Sequence, residues 1–171
     1  MKSLIILSSY IVGLFFTPID NYSVKSSGLN LSCNTTPKLN KQIIEFVNSK
    51  IKKRVGRGEC WDLAAEALQL TNAKWNGKYK YGKEVFYQSE CIFPGDIMQF
   101  EGVKVKYVKD GFEYKEKMSH HTAIIHEVKG KGNFVLAHQN TVFSGRKVGL
   151  STLELKNITK GKFKIYRPIK K

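Results

Sequence analysis

What the 171-residue chain lacks narrows its possibilities first. No apolar run is long enough to cross a bilayer. Leu4 to Phe16 is thirteen residues interrupted by Ser8, Ser9 and Gly13, against the roughly 20 that a spanning helix requires. Acidic side chains are scarce, 14 Asp and Glu against 29 Lys and Arg, which leaves a net charge of +15. Cysteine occurs only three times, at Cys33, Cys60 and Cys91, and no Cys-x-x-Cys pair is present. His-x-x-x-His spacing is also missing, so zinc is disfavoured and neither a metal nor a cofactor is expected. No finger, helix-turn-helix or aromatic ribonucleoprotein signature accompanies the positive charge, which argues against a specific nucleic-acid partner. No internal repeat is visible.

What is present has the proportions of a folded domain with an extension at its start. Hydrophobic residues make up 42% and aromatic residues 12% of the chain, enough to bury a core. Met1 and Lys2 ahead of the apolar run read as a signal peptide over residues 1–20, with cleavage expected within 17–28 and an uncleaved anchor as the alternative. Residues 21–37 are rich in Ser, Asn and Thr and read as a linker. The folded domain is then expected over 38–171. Such a chain would be secreted, periplasmic or held in the cell envelope, with no transmembrane domain beyond the signal segment. Its charge would draw it to an anionic polymer surface; a solvated basic surface is the plain alternative.

Two helices are expected first. Thr36-Pro37 is an N-cap with proline at the first helical position, and Leu39, Ile43, Val47 and Ile51 mark one buried face over 37–53. Leu63, Ala64, Ala67 and Leu68 mark a second helix that ends near Asn72. Cys60 stands at the start of that helix behind the glycines at 56 and 58. Unsatisfied N–H groups and the helix dipole there are expected to lower the thiol pKa. The bland reading is a packed cysteine. Pairing of Cys33 with Cys91 would leave Cys60 as the free thiol; two separate buried cysteines fit equally well.

From residue 73 the pattern turns to strands. Pro94-Gly95-Asp96 leads into an apolar strand, Asp110-Gly111 marks a hairpin, and further strands are expected over 121–128, 134–140 and about 163–167. The aromatic stretch 74–93 reads as core and groove wall. All four histidines fall at 120–138. Alternation puts His121 on one face of its strand. A three-residue loop would break the arrangement, whereas a four-residue loop at 129–132 sets His121 opposite Asn140 with His138 one diagonal step away, and a two-residue loop sets it opposite His138. Either way an imidazole base has polar groups at hand to orient it. His120 and His126 are expected to be flanking or surface residues.

Gly-Glu-Cys-Trp-Asp-Leu-Ala, Pro-Gly-Asp-Ile, His-His-Thr-Ala-Ile-Ile and Val-Leu-Ala-His-Gln-Asn, in that order, resemble the CHAP/NlpC branch of papain-like cysteine hydrolases over about residues 40–168. The resemblance implies an α+β papain-like fold: N-terminal helices on a five- to six-stranded antiparallel sheet, with the nucleophile at a helix start. It implies Cys60 as nucleophile, His121 as general base, His138 as the residue orienting the imidazole, and Asn140 as the asparagine two positions on. The implied activity is hydrolysis of amide bonds through a thioester, with peptidoglycan or another peptide or amide as substrate. Two other readings use the same scaffold: a non-catalytic module binding the wall or a polyanion, and a protein transamidase or deamidase.

Overall fold

The computed structural model describes residues 23–26 and 29–171. The expected signal segment over 1–20 lies outside them. Within the expected linker the chain instead forms a two-stranded antiparallel hairpin, β1 (Ser23–Ser26) and β2 (Leu29–Ser32).

Helix α1 (Lys38–Lys50) buries Leu39, Ile43 and Val47, the four-residue repeat that predicted it. It begins after Pro37, which occupies the N-cap position. It also ends sooner than 53, because Ile51 leaves the helix to bridge Val148 and Lys52 takes a positive φ of 63°. Helix α2 (Asp62–Leu70) turns Leu63, Ala64, Ala67 and Leu68 inward. Short strands β3 (Ala73–Lys74) and β4 (Lys83–Val85) follow. Next come β5 (Ile97–Lys109), β6 (Phe112–Gly130), β7 (Asn133–His138) and β8 (Gly149–Glu154). A 3₁₀ turn at Leu155–Asn157 leads into β9 (Ile158–Arg167), and β10 (Ile169–Lys170) returns to pair with β3. The six-stranded sheet runs β4-β9-β5-β6-β7-β8 with every neighbour antiparallel.

Both helices lie on one face of this sheet, where their apolar side chains meet Ile97, Ile124, Ala137 and Tyr166. The opposite face carries a second core of Met98, Phe100, Ala123, Ile125, Phe134 and Leu136. Consecutive residues of β5, β6 and β7 therefore feed different cores, as strand alternation requires.

The Pro94-Gly95-Asp96 turn fastens helix to sheet. Gly95 has φ +87°, and a Cβ there would stand 2.6 Å from the Asn40 carbonyl oxygen, so only glycine fits. Asp96 is fully buried. Arg167 donates to both of its carboxylate oxygens, at 3.1 and 2.7 Å, and Asn40 Nδ2 donates at 2.8 Å. Burial pushes the Asp96 carboxyl up from its usual range, while Arg167 acts against it. This aspartate is a fastening, not a chemical group of the site. Beside it, Arg167 also donates to the Cys91 carbonyl. Cys91 is disulfide-bonded to Cys33 across 58 residues, with their Cα atoms 5.5 Å apart, so Cys60 is the free thiol.

Candidate active site

Cys60 sits in a turn two residues ahead of α2, half-buried, and not within the first helical turn itself. That turn is tied from within by Asp62, whose Oδ2 accepts from the backbone N–H of Arg57 at 2.8 Å and of Glu59 at 3.1 Å. It is tied from across the sheet by Gln139, which is fully buried. Gln139 Nε2 donates to the carbonyls of Val55 and Glu59, both at 2.9 Å, and its Oε1 accepts from the Val55 N–H at 3.2 Å. β7 ends at His138, and the thiol lies against the part of β6 beyond that end. Its Sγ is 3.9 Å from the His120 carbonyl oxygen, its hydrogen-bond partner.

The electrostatics of Cys60 run opposite to the expectation from its place near a helix start. Burial raises its pKa above the ordinary thiol value, and the Glu59 charge adds to the rise. Backbone N–H groups of Thr122, Trp61 and Cys60 pull the other way and do not prevail. The thiol has lost water, and it has gained no positive side chain in return. Desolvation of the anion outweighs a dipole that acts at partial charge.

The two imidazoles named from the sequence are together. His121 Nε2 and His138 Nδ1 are 2.9 Å apart, with ring centroids separated by 5.1 Å. The hairpin reaches this arrangement by a route that simple loop counting misses. The loop has two residues, with Gly130 opposite Asn133, but irregularities between Val128 and Gly130 and between Ile125 and Glu127 each slip the register. Past them Ile124 faces Ala137. Continued toward the site, that register makes His138 the diagonal neighbour of His121, which is the four-residue-loop geometry. Bulges of this kind re-aim side chains where a site is built.

Ser151 on β8 completes the chain of contacts, its Oγ 2.8 Å from His138 Nε2. Both rings are buried and nearly dry. Burial, with the neighbouring His120, lowers the His121 pKa to about 4; burial, with His121, lowers that of His138 to about 3. Neutral rings fix the tautomers if His121 is to act as a base through Nδ1. His121 Nε2–H then donates to His138 Nδ1, and His138 Nε2–H donates to Ser151 Oγ. The same bonds persist when Nδ1 takes up a proton, so no donor has to turn.

Asn140 is not part of this chain. It has φ +60°, outside β7, and its Nδ2 donates to Glu59 Oε2 at 3.0 Å. Its expected place beside the imidazoles is thus corrected: the strand ends two residues early, and the amide braces the Cys60 turn instead. Sequence reasoning also missed Gln139 and Ser151. Alternation along His138-Gln139-Asn140 was the available signal for Gln139, since it faces the helix side when His138 faces the other. Nothing in the mixed sequence of β8 marked Ser151.

His120 is exposed, with Nδ1 2.7 Å from Glu101 Oε2 and its ring edge-on to Tyr79 at 4.1 Å. His126 reaches Asn48 Oδ1 at 2.7 Å on the surface. Behind the thiol, Tyr81, Thr122 and Gln99 form a buried polar cluster, with Thr122 Oγ1 donating to Gln99 Oε1 at 2.7 Å and lying 3.0 Å from the Tyr81 hydroxyl. Among the described residues no group of three His, Cys, Asp or Glu is placed to hold a metal ion.

The Cys60 thiol lies against the His120 carbonyl, and the next residue, His121, carries the buried imidazole pair; a family model for the AIM3/BBC1 cysteine proteinase-fold domain matches residues 34–171. The chain belongs to that family. It therefore has a papain-like cysteine proteinase fold, the coarser part of what the motifs implied. Among solved structures it is similar to Ly7917, at 15% identity and a TM-score of 0.45 over 77% of this chain and 62% of that one. It is likewise similar to Ly7917 with the hydrolyzing product of MDP, at 15% identity and 0.50 over 78% and 63%. The chain thus spans less than two thirds of those structures' length. No curated protein sequence matches it.

Proposed function

We propose that this domain is a cysteine amidohydrolase of the CHAP/NlpC type in which Cys60 is the nucleophile and His121 the general base. The observation that carries the reading is the contact between His121 Nε2 and His138 Nδ1, continued from His138 Nε2 to Ser151 Oγ, which leaves His121 Nδ1 as the nitrogen to serve as base. With Cys60 raised and His121 lowered, the resting pair is thiol and neutral imidazole. Deprotonation accompanies attack on the amide carbonyl. His121 then hands the proton to the leaving amine, and water hydrolyses the thioester with His121 again as base. The backbone N–H groups of Cys60 and Trp61 in the turn are the donors we assign to the oxyanion. His138 and Asn140 are positioning residues, one for the imidazole and one for the turn.

For substrate we propose peptide amides of peptidoglycan, met outside the cytoplasm. The net charge of +15 suits an anionic envelope, and the hydrolyzing product of MDP in one similar structure favours the same class. The test is incubation of purified wall and of soluble peptides with wild type and with Cys60→Ala, reading new amino termini by mass spectrometry. Termini that appear only with wild-type protein and wall are expected. Termini from soluble peptides alone would move the substrate assignment, and none from any substrate would sink the hydrolase reading.

A further inference from the structure

β5 and β6 continue past the core as a projecting hairpin. Val103, Val105 and Met118 still pack into the core opposite the helices, so alternation turns Lys104, Lys106, Lys115 and Lys117 to the helix-side face. Cross-strand register stacks them: Lys104 faces Lys117 on β6 and Lys160 on β9, and Lys106 faces Lys115. Glu113 offsets one pair, at 2.6 Å from Lys106 and 2.7 Å from Lys115. Lys104, Lys117 and Lys160 form no ion pair among the described residues. Like charges directly opposite one another weaken a sheet, so folding alone gives no reason for three in a row.

At the end of the same hairpin the apolar residues face water. Val108 is 70% exposed and Phe112 69%, on either side of the Asp110-Gly111 turn, with Lys109 beside them. Tyr107 and Tyr114 stack at 5.1 Å just behind and stiffen the stem. A soluble polyanion would satisfy the lysines and leave Val108 and Phe112 in water. A bilayer with anionic headgroups accommodates both features, because its interface takes up apolar side chains and its phosphates attract lysines.

We propose that the β5–β6 hairpin docks on an anionic lipid surface, with Val108 and Phe112 entering the interfacial layer and Lys104, Lys117 and Lys160 contacting lipid phosphates. The docking is independent of the chemistry at Cys60. Each lysine near such a surface strengthens partitioning about five-fold, so removing three weakens it about 100-fold. The experiment is vesicle co-sedimentation of the full chain, using phosphatidylcholine alone or mixed with phosphatidylserine. It compares wild type, Lys104→Gln/Lys117→Gln/Lys160→Gln and Val108→Ser/Phe112→Ser, with thermal melting to confirm that each variant folds. Tryptophan emission of Phe112→Trp gives a second readout at the tip. Expected are binding to the mixed vesicles only, loss in both multiple variants, and a blue shift of the added tryptophan. Absence of binding, binding that survives either set of substitutions, or an unshifted tryptophan would overturn the proposal. So would tight binding to soluble polyphosphate with none to vesicles, which would make the partner a polymer.

Discussion

Acidification should loosen this fold through its two buried imidazoles. His121 and His138 are 8% and 4% exposed, and burial holds their pKa values at about 4 and about 3, against about 6.5 in an unfolded chain. A base whose folded pKa is depressed leaves the unfolded state holding more protons, so stability rises with pH through that interval. The contribution is complete above about 6.5 and is lost as pH falls toward the folded values. At pH 5 each ring has lost about 2 kcal/mol of stabilisation, about 4 kcal/mol for the pair. Urea unfolding at pH 7.5 and pH 5 measures the difference. Wild type should lose about 4 kcal/mol, His138→Gln about half as much, and His121→Gln/His138→Gln close to none. The reasoning fails if wild type is equally stable at both pH values, or if the double variant keeps the full loss.

Other parts of the structure give sharper local expectations. Gln139→Ala removes three hydrogen bonds and leaves buried backbone groups of Val55 unpaired; we expect a loss of about 3 kcal/mol together with slower turnover, measured by urea unfolding and substrate kinetics. Arg167→Met strands the buried Asp96 carboxylate and should cost about 3–5 kcal/mol, partly restored in Asp96→Asn/Arg167→Met, by the same unfolding assay. Cys33→Ser/Cys91→Ser opens a 58-residue span and should cost about 4 kcal/mol, read as a lowered melting temperature. Iodoacetamide labelling of Cys60, the one free thiol, should accelerate only above the ordinary thiol range, because burial raises its pKa; a rate already at its plateau at pH 7 would contradict that.

The helices were legible because Leu39, Ile43 and Val47, and Leu63 through Leu68, repeat at helical spacing and meet a single core. The Asp110-Gly111 turn and the strands now seen as β5, β6, β7 and the end of β9 were legible from turn chemistry and alternation. β8 was not, since Gly149, Ser151 and Glu154 present no apolar stripe and its pairing with β7 is long-range. The histidine pair was readable because the two- and four-residue loops both kept His121 and His138 on one face, although a three-residue loop would have separated them. The bulges that select the geometry left no mark in the sequence. Asn140 misled for a related reason: its positive φ ends the strand, and a local pattern of alternation cannot show where a strand stops. The thiol shift was misread because dipole and capping are local features, whereas desolvation of Cys60 comes from β6 packing across it from some sixty residues away.

The most direct test of catalysis by Cys60 is to trap its acyl intermediate. An activated ester of a small acyl group is mixed with the protein, the reaction is quenched in acid, and intact mass and peptide mapping locate any adduct. Wild type should carry one acyl group on Cys60 as a thioester, His121→Ala should acquire it far more slowly, and Cys60→Ala should not acquire it. Equal acylation of Cys60→Ala, or an adduct that forms at the same rate without His121, would contradict the account.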